Sequence, residues 1–332
     1  MRFLVAGGAG FMGSNLVRYL ISAHEDAEVL VYDKLTYAGR LENLRGFEGD
    51  PRFRFERGDI CDGEQLCRVI SSYRPDVIVN LAAETHVDRS IRDPEPFIRT
   101  NVVGTFALLE AARKLDVPLL IHVSTDEVYG DIGDGPPSAE DSSFKPSSPY
   151  SASKAAGDLL CQAYWRTYRL PVRIVRPSNN YGPYQYPEKL IPRVILRAVH
   201  NLPIPIYGSG RQVRDWLHVE DFCRALDVVM KRGSNGEAYN VPGFNERTNL
   251  EVVEAILDIL DKPRSLIRFV ADRPGHDTRY AMKGDKILAL GWRPQVPWLE
   301  GLRRTVQWYL ENEWWWRPLL SDSFFSSDIP WG

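Results

Sequence analysis

The sequence has few of the features that mark secreted, membrane-spanning or nucleic-acid-binding proteins. Only four cysteines occur among 332 residues, and none forms a Cys-x-x-Cys pair. This excludes a disulfide-rich scaffold and indicates reduced thiols. No apolar run approaches the ~20 residues that a membrane helix needs. The net charge is −3, so we expect neither nucleic acid nor an anionic membrane surface as a partner.

Two further expectations concern the location of the protein and its metal content. The apolar run at residues 1–6 is shorter than the core of a signal peptide and leads straight into a glycine loop, so we expect a cytoplasmic protein. His86 has acidic neighbours, but the spacing of a metal site is missing, and we expect no metal.

Short apolar runs alternate with amphipathic stretches through the first half of the chain. The predicted strands are residues 3–6, 29–32, 53–55, 77–81, 119–123 and 172–176. The predicted helices between them are residues 11–23, 63–72, 101–115 and 150–168. This alternation predicts an α/β fold with a Rossmann-type, doubly wound parallel sheet of at least six strands.

The pattern loosens after about residue 177, where proline and glycine become frequent and helical runs reappear at 189–199, 219–229 and 249–260. We expect residues 1–177 to form the dinucleotide-binding domain. Residues 178–332 should form mainly a smaller substrate-binding subdomain, with some chain crossing back. Three adjacent tryptophans at 314–316 begin a tail that packs on the surface or on a partner; its role after about residue 318 stays open.

A glycine loop separates the first predicted strand from the first predicted helix. Gly7, Gly10 and Gly13 have the spacing Gly-x-x-Gly-x-x-Gly, a variant of the Rossmann fingerprint. Glycine permits the tight turn and a close approach of the backbone to a pyrophosphate, and the helix N-terminus adds free N–H groups. Because a strand and a helix flank it, the loop predicts a dinucleotide site.

Asp33 ends the second predicted strand, 20 residues after Gly13. A carboxylate there can accept a hydrogen bond from the adenosine ribose and would repel a 2′-phosphate, which favours NAD over NADP. Lys34 adjoins it and weakens this preference. The alternative is an aspartate that only caps a turn. Asp59 and Ile60, after the third strand, could meet the adenine in the same cleft.

Tyr150 and Lys154 lie four residues apart on a predicted helix and therefore share a face. A lysine cation near the phenol, together with the nicotinamide charge, should lower the tyrosine pKa, so that the phenolate acts as a general base. The alternative is a chance pairing, which the glycine loop disfavours. This pair indicates hydride chemistry.

Thr125, Asp126 and Glu127 follow the fifth predicted strand, at the sheet edge where ligands bind in open α/β folds. Adjacent acidic residues could form a solvated turn. Two neighbouring carboxyl groups can also have separated pKa values, with one protonated and the other ionised. β-Elimination of water needs such a pair, so the site should oxidise an alcohol and then expel water.

Together these motifs make the chain resemble the extended short-chain dehydrogenases/reductases, and among them the nucleoside-diphosphate-glucose 4,6-dehydratases of the dTDP-glucose type. The resemblance covers about residues 1–315. It rests on residues 7–13, 33–39, 82–91, 125–130, 150–154, 179–185, 187–192 and 273–277. Two departures are Thr85, where serine is more frequent, and Pro177-Ser178 before Asn179; neither removes a reacting group.

The resemblance implies a mechanism. Tyr150 would deprotonate the C4 hydroxyl of the sugar, assisted by Thr125, while hydride passes to NAD. Glu127 would remove the C5 proton, and Asp126 would protonate the departing C6 hydroxyl. The hydride would then return to C6, which regenerates NAD in each turnover.

The resemblance also implies two sets of binding residues. The set near NAD is Gly7, Gly10, Phe11, Met12, Gly13, Asp33, Lys34, Leu35, Thr36, Asp59, Ile60, Leu81, Ala82, Ala83, Thr100, Tyr150, Lys154 and Asn180. The set near the nucleotide sugar is Thr85, Thr125, Asn179, Lys189, Leu190, Pro205, Tyr207, Arg214, Asn249, Arg273 and Tyr280. The guanidinium groups in this second set suit phosphate oxygens.

Relatives of this type pair the equivalents of helices 101–115 and 150–168 into a four-helix bundle, so a homodimer is expected. Two other functions stay open. A nucleotide-sugar 4-epimerase would share the fold, NAD and Tyr150 with Lys154, but it needs no acid/base pair at Asp126 and Glu127. A non-enzymatic NAD-binding scaffold would need neither Tyr150 nor Lys154. The nucleotide base and the downstream pathway are not readable from the sequence.

Overall fold

The computed structural model describes residues 1–321 together with Phe325 and Ser327. Its strands are β1 (Arg2–Ala6), β2 (Glu28–Asp33), β3 (Phe53–Arg57), β4 (Val77–Asn80), β5 (Leu120–Val123), β6 (Val172–Pro177), β7 (Asn179–Tyr181), β8 (Ile204–Tyr207), β9 (Val213–His218), β10 (Ala238–Val241), β11 (Glu246–Thr248) and β12 (Ile267–Val270). Its α-helices are α1 (Phe11–Ala23), α2 (Gly63–Tyr73), α3 (Val87–Arg92), α4 (Glu95–Phe97), α5 (Thr105–Lys114), α6 (Pro149–Tyr168), α7 (Leu190–Val199), α8 (Val219–Arg232), α9 (Asn249–Ile259), α10 (Asp285–Ala289), α11 (Trp298–Glu311) and α12 (Glu313–Trp316).

A seven-stranded parallel sheet forms the centre of the fold, with the strand order β10-β6-β5-β4-β1-β2-β3. The chain adds β2 and β3 on one side of β1, then returns to add β4, β5 and β6 on the other. This reversal opens a crevice at the carboxyl ends of β1 and β4, where ligands bind in such sheets. The predicted Rossmann-type fold and its six strands are confirmed. The seventh strand, Ala238–Val241, comes from the second half of the chain and pairs with β6.

Alternating residues of the central strands pack into two separate apolar cores. Val5, Val31 and Val79 belong to one, and their neighbours Leu4, Leu30 and Ile78 to the other. Because successive strand residues point to opposite faces, these cores lie on the two sides of the sheet. Helix α8 contributes to the first core through residues such as its fully buried Phe222 and Leu226.

A third core is built from residues 181–325, and no residue of the central strands contributes to it. Ile195, Trp216, Val253 and Leu302 are among its buried members. Two small sheets border it, one of β11, β9 and β7 and the other of β12 and β8. The domain boundary predicted at residue 177 stays a prediction.

The helix predicted at residues 101–115 is only partly α-helical, because residues 98–104 form a π-helix. The wider turns place the buried side chain of Asn101 against the backbone of Glu84. Its Oδ1 accepts from Glu84 N–H at 2.9 Å, and its Nδ2 donates to the Glu84 carbonyl at 3.0 Å. Helix α6 begins at Pro149, one residue before the predicted start, and a Ser148–Ser151 capping box precedes it. Within the described part of the chain, no helix is both long and apolar enough to cross a membrane.

Candidate active site

The glycine loop crosses the carboxyl end of β1. Gly7 has a φ of +76°, and a Cβ added there would lie 2.5 Å from the backbone nitrogen of Ala82. A Cβ on Gly13 would lie 2.3 Å from the Gly7 carbonyl oxygen. Only glycine fits these two positions. Gly10 precedes the first turn of α1 and has no side chain to cap it, so N–H groups of that turn can bind an anion.

A single cleft collects most of the predicted cofactor residues. Those that line it are Gly7, Gly10, Phe11, Met12, Gly13, Asp33, Lys34, Thr36, Asp59, Ile60, Leu81, Ala82, Ala83, Thr100, Tyr150 and Asn180. Leu35 and Lys154 do not line it. Leu35 instead donates its backbone N–H to Oδ1 of Asp33 at 2.8 Å. The cleft also carries buried oxygen atoms without a hydrogen-bond partner among the described residues, and Ser124 Oγ and Asn180 Oδ1 are two of them.

The side chain of Asp33 forms a hydrogen bond with the glycine loop. Its Oδ2 accepts from the backbone N–H of Ala9 at 2.9 Å. Burial raises the pKa of this carboxyl, and the N–H groups of Leu35 and Ala9 act against that rise. Lys34 points to another partner, because its ammonium pairs with Asp59 Oδ2 at 2.7 Å. A free lysine beside Asp33 could attract the 2′-phosphate of NADP. Because Lys34 is paired with Asp59, it no longer weakens the preference for NAD.

The turn after β5 brings the two acidic residues into the cleft. Thr125 caps this turn, since its Oγ1 accepts from the N–H of Glu127 at 3.3 Å and donates to Asp126 Oδ1 at 3.1 Å. Asp126 is 3% exposed, and its Oδ2 has no partner within the described residues. Both carboxyl groups line the cleft together with Thr125.

The pKa values of both carboxyl groups are raised. Burial and the neighbouring Glu127 charge raise the pKa of Asp126 to about 8. Burial also raises the pKa of Glu127, but Arg273, Arg214 and Lys189 act in the opposite direction. Because three cations favour the ionised form of Glu127, the arrangement favours Asp126 as the proton donor and Glu127 as the acceptor.

Tyr150 lies beside these groups and is buried. Burial, followed by the Glu127 charge, raises the pKa of the phenol, while a hydrogen bond with Thr125 lowers it. The buried ammonium of Lys154 donates to the Val123 carbonyl at 2.6 Å. Burial lowers the pKa of Lys154 to about 8. Burial thus dominates at both residues, and the lowering of the tyrosine pKa, which was predicted with the nicotinamide charge in place, stays a prediction.

The predicted nucleotide-sugar residues divide into two groups. Thr85, Thr125, Asn179 and Lys189 line the cleft, and the remaining residues do not: Leu190, Pro205, Tyr207, Arg214, Asn249, Arg273 and Tyr280. Lys189 donates to the Thr85 carbonyl at 2.8 Å, and Leu190 begins α7 next to it. Pro205 lies in β8 opposite Arg268, and Asn249 begins α9.

Four of the residues that do not line the cleft form two pairs. Arg273 pairs with Asp88 Oδ1 at 2.8 Å, and Tyr207 donates to Oδ2 of the same carboxylate at 2.8 Å. Arg273 keeps a buried Nε without a partner among the described residues. The guanidinium of Arg214 lies 4.3 Å from the ring centre of Tyr280.

Several residues of the cleft were not predicted as site residues. Glu188 is one of them, and it accepts from the Tyr37 hydroxyl at 2.8 Å and from Arg89 Nε at 2.8 Å. Glu84 and Tyr186 also line the cleft. Tyr37 and Glu188 lie inside recognised motifs, but no spacing signal joins residues 151 positions apart.

Comparison with known proteins agrees with this geometry. Residues 4–305 match the family model described as GDP-mannose 4,6 dehydratase. The chain is 51% identical to the dTDP-glucose 4,6-dehydratase of Neisseria meningitidis over 97% of both chains. It is 48% identical to the Escherichia coli enzyme of that name over 98% of both chains. The chain belongs to the dTDP-glucose 4,6-dehydratase family.

Solved structures place the family within a wider fold group. The structure of the dTDP-glucose 4,6-dehydratase from Streptomyces venezuelae, with NAD bound, matches with a TM-score of 0.93 and 50% identity, covering 96% of this chain and all of that one. The UDP-glucose 4-epimerase of Thermus thermophilus, in complex with NAD, matches with a TM-score of 0.87 and 32% identity, covering 94% of this chain and 100% of that one. The fold is common to both activities, so the fold alone does not discriminate between them.

Proposed function

We propose that this protein is an NAD-dependent dTDP-glucose 4,6-dehydratase, a hydro-lyase that converts its substrate into the 4-keto-6-deoxy sugar. The observation that carries the proposal is one cleft that holds Tyr150 together with Asp126 and Glu127. A 4-epimerase needs the tyrosine but not the carboxyl pair. Membership of the dTDP-glucose 4,6-dehydratase family supports the same activity.

The cleft fits NAD. Gly7 and Gly13 permit the tight loop, because a Cβ at either position would collide with backbone atoms, and the first turn of α1 offers N–H groups to a pyrophosphate. Asp33 supports NAD over NADP, and the Lys34–Asp59 ion pair strengthens that preference. When bound, NAD supplies a hydride acceptor that also serves as the hydride donor later in the same turnover.

Oxidation at C4 falls to Tyr150, Thr125 and Lys154. Tyr150 takes the proton of the C4 hydroxyl, and the Thr125 hydroxyl, which hydrogen-bonds the phenol, supports the alkoxide as it forms. The buried Lys154 ammonium donates to the Val123 carbonyl, and its positive charge supports the negative charge that forms on the phenol side. Burial raises the pKa of the phenol, and the positive charge of oxidised nicotinamide would favour the phenolate when NAD is bound.

Elimination falls to Asp126 and Glu127. The 4-ketone acidifies the C5 proton, which Glu127 removes. Asp126, whose pKa is raised to about 8, delivers a proton to the C6 hydroxyl as it leaves as water. The two groups can divide these roles because cations face Glu127 and not Asp126 to the same extent.

The substrate diphosphate is held from the second half of the chain. Lys189, Arg214 and Arg273 all act on the Glu127 carboxylate through their charges, which supports their position on one side of the reacting groups. Arg273 has a buried Nε free to donate within the described structure. We assign residues 1–177 to NAD binding and 178–332 mainly to nucleotide-sugar binding; Leu190, Pro205, Tyr207, Asn249 and Tyr280 belong to that second assignment.

The protein is proposed to be a cytoplasmic homodimer that pairs helices α5 and α6 into a four-helix bundle. Exposed apolar side chains on these helices and the preceding π-helix support this interface: Val103, Phe106 and Leu159 are each about half exposed. All four cysteines are free thiols, which agrees with a reducing compartment. Light scattering at micromolar concentration distinguishes the dimer from a monomer.

The activity is tested by incubating the purified protein with dTDP-glucose, UDP-glucose and GDP-mannose in turn. We expect dTDP-glucose to give the 4-keto-6-deoxy product, detected by its absorbance in alkali, with no consumption of added NADH. A product that keeps its C6 hydroxyl would identify an epimerase. Failure of all three substrates in a protein that retains NAD would contradict the proposed function.

A further inference from the structure

Ala9, in the middle of the glycine loop, is anchored through both of its backbone polar groups. Its N–H donates to Asp33 Oδ2 at 2.9 Å. Its carbonyl accepts from the Arg40 N–H at 3.0 Å and from Asn43 Nδ2 at 2.7 Å. Ala9 and Asn43 are fully buried. The conformation of the loop therefore depends on the segment at residues 40–44, which lies outside the motif itself.

The side chain of Asn43 is held in turn by the C-terminal part of the chain. Its Oδ1 accepts from Trp315 Nε1 at 2.6 Å, so the amide has a firm partner on each side. Trp315 lies on α12, beyond the residues 4–305 matched by the family model, and is fully buried. Arg40 adds a second link, because its Nη1 donates to the Trp315 carbonyl at 3.0 Å.

Trp315 is fixed in place by aromatic neighbours. The rings of Tyr184, Trp308 and Tyr309 lie 5.8, 5.2 and 6.1 Å from its ring, each in an edge-on arrangement. An indole held on three sides can orient the amide of Asn43 without moving itself. A continuous buried connection thus runs from α12 through Asn43 to the backbone of the dinucleotide loop.

We propose that Trp315 is a positioning residue for the dinucleotide loop, and that through Asn43 it controls how long NAD stays bound. This inference rests on the proposed function, because a dehydratase that reuses its NAD within each turnover must retain it. Without the indole N–H, Asn43 Oδ1 would be buried and unsatisfied. The amide would then reorient toward another donor and release the carbonyl of Ala9.

The test compares Trp315→Phe with Trp316→Phe. Trp316 is a matched control on the same helix: it is 4% exposed, and its Nε1 donates to the Tyr309 carbonyl at 2.7 Å, away from the glycine loop. The rate at which NAD leaves the purified holoprotein is measured by exchange with excess labelled NAD. We expect Trp315→Phe to speed the loss about 3- to 10-fold, the effect of one buried hydrogen bond, and Trp316→Phe to leave it unchanged.

Thermal unfolding of both variants checks that they fold. If Trp315→Phe does not fold, Asn43→Ser measures the same connection from its other end and should speed NAD release to a similar degree. The double variant Trp315→Phe/Asn43→Ser should release NAD no faster than the faster single variant, because both changes break one connection. Equal effects of Trp315→Phe and Trp316→Phe, or no effect of Trp315→Phe, would overturn the proposal. A wild-type protein that binds no NAD would instead overturn the proposed function.

Discussion

Two walls of the cleft differ in the kind of group that they present, because one presents backbone and the other presents ionisable side chains. The glycine wall, residues 7–13, works through backbone: added atoms at Gly7 or Gly13 would collide with other main-chain atoms. The carboxyl wall, formed by Thr125, Asp126, Glu127 and Tyr150, works through side chains, and burial has displaced the pKa values of its three ionisable members. The first wall depends on shape and the second on protonation. Changes to the carboxyl wall should therefore stop chemistry while NAD stays bound.

The largest effect is expected for Tyr150→Phe. Loss of the general base should lower kcat by about 10²–10⁴-fold, and NAD content should stay at the wild-type level because the glycine wall is intact. Steady-state kinetics and the absorbance of released NAD measure the two quantities. Tyr164→Phe is the control: Tyr164 lies on the same helix, but its hydroxyl donates to Glu110 outside the cleft, so activity should persist. Loss of NAD from Tyr150→Phe would break the distinction between the walls.

A smaller effect, on the order of 10²-fold in kcat, is expected for Asp126→Asn. The amide is a poor proton donor to a leaving hydroxyl, while Tyr150 can still oxidise C4. NADH should therefore accumulate on the enzyme in a single turnover, visible by stopped-flow absorbance. If Asp126→Asn and Tyr150→Phe both suppress NADH formation equally, the division of roles within the carboxyl wall is wrong.

The smallest effect concerns pH. Asp126 must be protonated to act, and its pKa is raised to about 8, so it donates below that value and loses its proton above it. The elimination rate should fall as pH rises through about 8, approaching tenfold per pH unit at higher pH. Oxidation depends on loss of the Tyr150 proton and should not fall with it. Single-turnover rates of the two steps across this pH range test the opposite signs.

The fold was predictable because its signals are local. The glycine spacing, the strand and helix alternation and the Thr125–Glu127 turn each lie within a short segment, and the confirmed parallel sheet then brings their ends to one edge. Contacts between distant segments have no such signal. The bonds of Glu188 to Tyr37 and of Trp315 to Asn43 join residues 151 and 272 positions apart.

Burial is a second property that the sequence does not show. The spacing of Tyr150 and Lys154 places them on one helix face, but it does not reveal that Tyr150 is 7% exposed or that the lysine ammonium donates to the Val123 carbonyl. Burial raises the pKa of the phenol.

Strand β10 was not predicted, because it lies outside the alternating first half of the chain. Its pairing with β6 joins segments that are distant in sequence.

In the proposed mechanism, hydride leaves C4 and returns to C6 of the same sugar, while the C5 proton passes through Glu127. Mass spectrometry of product from dTDP-glucose deuterated at C4 and turned over in ordinary water tests this transfer. We expect deuterium at C6. Unlabelled substrate in heavy water should acquire deuterium at C5 and none at C6. Deuterium at C6 drawn from solvent, or label lost to free NADH, would contradict the internal hydride transfer.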